Sequence, residues 1–132
     1  MGFEALSTED AHGNNVAIGN RALKTLNAGA AGLNVAVGDD AGISMTTGTQ
    51  NTLIGALAGD AMLGANNNVA VGYNAAGAVT IGGQNVAVGH GSLATNTVSD
   101  RNTAIGTDAL ATHTLGSGAN GYNTAVGHSA RS

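Results

Sequence analysis

One five-residue string recurs seven times along this chain and constrains its fold more than anything else in it. It reads NVAIG at 15–19, NVAVG at 34–38, NTLIG at 51–55, NVAVG at 68–72 and 85–89, NTAIG at 102–106 and NTAVG at 123–127. The anchoring asparagines are Asn15, Asn34, Asn51, Asn68, Asn85, Asn102 and Asn123, spaced 19, 17, 17, 17, 17 and 21 residues apart. The closing glycines are Gly19, Gly38, Gly55, Gly72, Gly89, Gly106 and Gly127. Three residues after each glycine stands a small side chain: Ala22, Ala41, Ala58, Ala75, Ser92, Ala109 and Ala130. Gly2-Phe3-Glu4-Ala5-Leu6 keeps the same phase, so residues 1–14 read as the back half of an eighth unit. A fixed period near 17 is the mark of a stacked-repeat architecture, here one repeat domain over residues 1–132.

Within a unit, β-branched residues alternate with alanine, the period of a strand. Val16, Ile18, Val35, Val37, Ile54, Val69, Val71, Val86, Val88, Ile105 and Val126 fall on one face, and Ala17, Ala36 and Ala87 on the other. Neither face is charged, and a strand apolar on both faces is expected to be buried on both. The β-branched residues are expected to pack inward. The thin alanine face is expected to be covered by identical chains, because one coil alone buries too little area to offset the entropy of ordering. Ile43–Thr47, Ala78–Ile81 and Ala111–Leu115 read as second short strands. The resulting class is all-β: a parallel β-solenoid of about seven to eight short coils, rising roughly 35–40 Å. Insertions such as GSGANG at 116–121 fall in turns, and the in-phase asparagines are expected to form a ladder from coil to coil. A repeated helix is disfavoured, since a glycine in every unit costs about 1 kcal/mol relative to alanine and no 3.6-residue apolar stripe is sustained.

Composition closes off other classes. The chain has no Cys and no Pro, which removes disulfide scaffolds, cysteine metal sites and collagen. Four Lys and Arg against eight acids, with no basic cluster, argue against nucleic acid as a partner. No run of about 18 apolar residues exists, so membrane insertion is not expected. The opening MGFEALSTED does not read as a secretory signal, which leaves another export route or a longer parent chain.

Chemistry-bearing residues are few. His90 and His128 share the position after the motif glycine, where Asn20, Asp39, Ala56, Tyr73 and Thr107 also stand; His12 and His113 lie elsewhere in their units. A variable, solvated position is the plain reading, and a metal held on a symmetry axis by His90 or His128 is the sharp alternative. Asp39, Asp40, Asp60, Asp100 and Asp108 are the acids available for a glycosidase pair, whose separation sequence cannot supply. With no calcium nonapeptide repeat, no phosphate loop and no nucleophile constellation, neither an enzyme nor a cofactor is expected.

The units NVAIGNRAL (15–23), NTAIGTDAL (102–110) and GFEAL (2–6) resemble the arrays of bacteriophage tail fibres and the head repeats of trimeric autotransporter adhesins. The resemblance spans essentially the whole chain. It implies a left-handed β-roll or β-helix, assembled as an intertwined or side-by-side homotrimer, on a virion or at the cell surface. The function it implies is a tail-fibre or spike segment that spaces or presents binding to a host receptor, expected to be a glycan. The head of a bacterial surface adhesin is the alternative, and an ice-binding solenoid a third reading. Leu53 stands where the pattern has alanine, and Gly42, Gly59 and Ala76 where it has leucine.

Overall fold

A computed structural model describes residues 2–9, 13–29, 31–112 and 121–131. Seven three-residue strands carry the motif: β1 (Val16–Ile18), β2 (Val35–Val37), β3 (Thr52–Ile54), β4 (Val69–Val71), β5 (Val86–Val88), β6 (Thr103–Ile105) and β7 (Thr124–Val126). They form one sheet in sequence order, every pair parallel and in register, so Ala17 sits beside Ala36, Ala36 beside Leu53, and so on. The chain is an all-β, parallel solenoid of about six turns. The register survives the 19- and 21-residue units because their extra residues lie between strands.

Among the described residues, each coil contains one strand. Ile43–Thr47 and Ala78–Ile81 form turns and bends, contrary to the second strand expected there. The third such run, Ala111–Leu115, and most of GSGANG lie outside the described residues beyond Thr112. In place of a second strand, the return half of the coil alternates the sign of φ. The second and fourth residues after each of the first six motif glycines are left-handed: Arg21 and Leu23 at φ 53° and 51°, Asp40 and Gly42 at 57° and 62°, Asp108 and Leu110 at 54° and 49°. A non-glycine residue there costs roughly 1–2 kcal/mol. It persists because its N–H links coils, in opposite directions at the two positions. Arg21 N–H donates back to Phe3 O at 2.7 Å, and Leu23 N–H forward to Ala41 O at 3.0 Å. A second strand in this half would present its N–H groups in the same two directions, so the polar groups are satisfied either way and the tighter path closes the coil.

The sidedness of the strands is the reverse of that expected. The middle residue of every strand, Ala17, Ala36, Leu53, Ala70, Ala87, Ala104 or Ala125, is buried, while its β-branched neighbours face outward. Val16, Ile18, Val35, Val37, Ile54, Val69, Val71, Val86, Val88, Ile105 and Val126 are exposed or half-exposed and do not pack the interior. Alanine faces inward because the return half of the same coil lies directly beneath the strand. No second chain is needed to cover that face. Three further columns fill the space: the small residue after the glycine (Ala22, Ala41, Ala58, Ala75, Ser92, Ala109), the residue after it (Leu23, Leu93, Leu110), and a position seven after the glycine (Leu26, Met45, Met62, Val79).

The departures in the middle units compensate one another. A Cβ on Gly42 would lie 2.8 Å from Leu53 Cδ1, and one on Gly59 would lie 2.9 Å from Leu53 Cδ2. Leu53 therefore occupies from the strand side the volume that leucine fills from the return side in other coils. Leu53→Ala is expected to lose about 2–4 kcal/mol. Gly59→Leu in that background is expected to recover part of it, because Leu93 holds the same left-handed position at φ 55°. Chemical-denaturation midpoints of the two single variants and the double variant check this through their non-additivity.

Candidate functional site

The outward residues of β1–β7 form two parallel columns, one of Val16, Val35, Thr52, Val69, Val86, Thr103 and Thr124, the other of Ile18, Val37, Ile54, Val71, Val88, Ile105 and Val126. Rungs spaced about 4.8 Å make this face roughly 29 Å tall. It carries no charge. Val16 is 48% exposed, Ile18 49% and Val126 67%. Its stiffness comes from in-register pairing along all seven strands, with Val16 N–H to Asn34 O and Gly38 N–H to Ile18 O at 2.8 Å repeated from coil to coil.

Behind the sheet edge run the asparagines. Asn68 donates its N–H and Nδ2 to Asn51 Oδ1 at 3.0 and 3.1 Å, and Nδ2 also to Gly82 O at 3.0 Å. Its own Oδ1 accepts from Asn85 N–H and Nδ2 at 3.0 and 3.2 Å. The same bonds join Asn15 to Asn34, Asn34 to Asn51, Asn85 to Asn102 and Asn102 to Asn123. Asn34, Asn51, Asn68, Asn85 and Asn102 are fully buried, so these amides hold the stack together and are closed to a ligand. The ladder extends sideways in the fifth coil. Buried Asn96, in the column of Leu26 and Met45, bonds to Ser99, whose Oγ also accepts from Asn102 Nδ2 at 3.1 Å. Sequence reading missed this pair, along with the whole apolar column it interrupts; its signal was an apolar residue seven positions after each of the first four motif glycines.

The motif glycines are the other framework element. Gly19, Gly38, Gly55, Gly72, Gly89, Gly106 and Gly127 lie at φ between 125° and 143°. A Cβ on Gly55 would stand 2.4 Å from Gly72 O.

The described titratable groups singled out by sequence lie on the outer side of the coils, with Asp40 and Asp60 partly buried. His90 is exposed, its ring stacked on Tyr73 at 5.4 Å between centroids, and its Nδ1 lies 3.9 Å from Asp108 Oδ1. His128 is exposed in the same column. His12 and His113 lie outside the described residues. Among the described residues no three His, Cys, Asp or Glu side chains converge to hold a metal ion. Asp39 accepts from Asn20 Nδ2 at 2.7 Å, Asp40 pairs with Arg21, and Asp100 Oδ1 accepts from Gly83 N–H at 2.6 Å. Burial raises the Asp60 carboxyl above its ordinary value of 3.8, against hydrogen bonds from the backbone of Asp60 and Ala61 and with a smaller push from the Asp40 charge. No described helix is long and apolar enough to cross a membrane.

No protein-family model, curated protein or solved structure matches this chain.

Proposed function

We propose that the chain is a non-catalytic, rigid segment of a homotrimeric fibre, a bacteriophage tail fibre or spike, that spaces or presents binding to a glycan receptor outside the cell. The observation that carries this reading is the outer face of β1–β7: eleven Val and Ile and three Thr, uncharged and open to solvent, on a sheet whose other face is filled by its own coil. A contiguous apolar surface of this kind on a soluble domain marks an interface. Identical copies supply identical flat columns, so the face is self-complementary under rotation. The contact between chains thus falls on the β-branched side rather than the alanine side. Three-fold association and left-handed winding come from the resemblance to fibre and adhesin repeats. An adhesin head uses the same assembly and differs in what else its gene encodes.

Sedimentation equilibrium of the wild-type chain is expected to return three times the monomer mass. A Val71→Lys/Val88→Lys variant is expected to sediment as a monomer. Both side chains point away from the core, so its far-ultraviolet spectrum should stay β-like. A wild-type chain that is a stable, folded monomer would overturn the reading. The outward threonines, Thr52, Thr103 and Thr124, give an ice-binding face its one support; thermal hysteresis in a monomeric sample would move the assignment there.

A further inference from the structure

We infer that a groove on the turn side of the fourth to sixth strands is a saccharide-binding site for a neutral, extended oligosaccharide. It deepens the proposed presenting role and takes its biological ligand from that reading, but one chain builds it alone. The groove is shallow and open to solvent, with a volume of about 290 Å³ between residues at one position of three successive coils, Asn67, Gln84 and Arg101, with Ile81, Asp100 and Asn66 beside them.

The framework of the groove is fixed. Asn67, Gln84 and Arg101 are all left-handed, at φ 59°, 59° and 60°. Their N–H groups donate to Thr49 O, Asn66 O and Gly83 O at 3.1, 3.0 and 3.1 Å. The three side chains therefore leave the backbone in the same direction, one rung apart, about 4.8 Å. That step is comparable with one pyranose ring, so successive sugars meet successive rungs. The Asn66 amide is used internally, accepting from Thr49 N–H at 2.8 Å and donating to Gly64 O at 3.0 Å. The amides of Asn67 and Gln84 are exposed and make no hydrogen bond with the described residues. Each offers a donor pair and an acceptor, the combination that vicinal hydroxyls satisfy.

Asp100 is oriented by the Gly83 N–H, which leaves its second carboxylate oxygen as a further acceptor. Arg101 lies 5.5 Å from the Tyr122 ring centroid and donates to Tyr122 Oη at 3.3 Å, which holds the guanidinium in place. One carboxylate and one guanidinium balance, so the groove has no net charge to select an anion. Ile81, 58% exposed, supplies an apolar surface for the C–H face of a sugar. Pre-set polar groups around a small apolar patch are the usual makeup of a small-molecule site. Without an aromatic platform a single site binds weakly, with Kd on the order of 1 mM. Copies on an oligomer multiply that through avidity.

The test is saturation-transfer NMR on the intact chain with maltohexaose, cellohexaose, mannohexaose and chitohexaose, each also coupled to a polymer. At least one sugar is expected to bind, with binding reduced at least ten-fold in Asn67→Ala/Gln84→Ala and unchanged in Tyr73→Ala, which lies outside the groove. Absence of binding by all four sugars in both formats, or equal binding by the double variant, would overturn the site. Sedimentation of the same samples separates the two claims. A sugar-binding monomer keeps the groove and removes the fibre, and a trimer that binds none does the reverse.

Discussion

Gly72→Ala is expected to abolish the folded stack, or to lower its stability by on the order of 4 kcal/mol or more. The added Cβ would stand 2.6 Å from Gly89 O and 3.1 Å from His90 N, both backbone atoms of the next coil. Those atoms have little room to retreat, because Gly89 N–H is bonded to Val71 O at 2.8 Å and Gly106 N–H of the coil beyond is bonded to Val88 O at 2.7 Å. The φ of 134° adds strain for any L side chain. Gly127→Ala provides the contrast. Its φ is 125°, yet nothing lies within 4 Å of the added Cβ. It should therefore show the conformational strain alone, about 1–3 kcal/mol. Urea midpoints measure both variants. Equal losses would mean that coil-to-coil contact is not what reserves these positions for glycine.

Asn68→Ala is expected to lose roughly 3–5 kcal/mol, the sum of several unmade buried bonds at about 1–3 kcal/mol each. The change strands Asn85 N–H and one of the two Asn85 Nδ2 hydrogens as donors and Gly82 O as an acceptor, all inside the stack, while the other Nδ2 hydrogen keeps Ser99 O. Asn67→Ala, one residue earlier but exposed, should cost no more than about 1 kcal/mol, the left-handed preference of asparagine. Asn68→Asp adds a pH signature. A carboxylate there would be buried beside Asn51 Oδ1 and Gly82 O, which accept hydrogen bonds and repel it. Only the protonated acid can donate, so the folded-state pKa rises above the unfolded one. The stability of this variant should be greatest below the ordinary carboxylate range and fall as pH rises through the shifted value. Thermal melts across the acid range check the sign. A melting temperature that climbs with pH would contradict the buried ladder.

Both predictions rest on positions that are legible in the repeat, because a stacked coil has little freedom where backbone meets backbone. Gly72 is reserved by contact and Asn68 by a bond that only a side-chain amide makes at both ends. Other positions carry no such mark. Leu53 and Gly59 look like unrelated lapses until the fold places them across one volume. Arg21, Leu23 and Asp40 adopt left-handed backbone that their residue types disfavour. It is imposed by hydrogen bonds to partners 18 to 20 residues away, a range that local propensity does not reach. The groove at Asn67, Gln84 and Arg101 is hidden for the same reason, since residues one unit apart become neighbours only after stacking.

By itself, the order of residues determined the period, the positions of the seven motif strands, the parallel register and the asparagine ladder, since these follow from seven equivalent units that each need the same partner. Which face of the strand turns inward was decided by tertiary structure alone. Valine and alanine are both apolar, so hydropathy does not distinguish the two sides. The space left between a strand and its own return segment admits a methyl group, and a larger side chain only where the return segment gives way, as Gly42 and Gly59 do for Leu53; that distance exists only once the coil has closed.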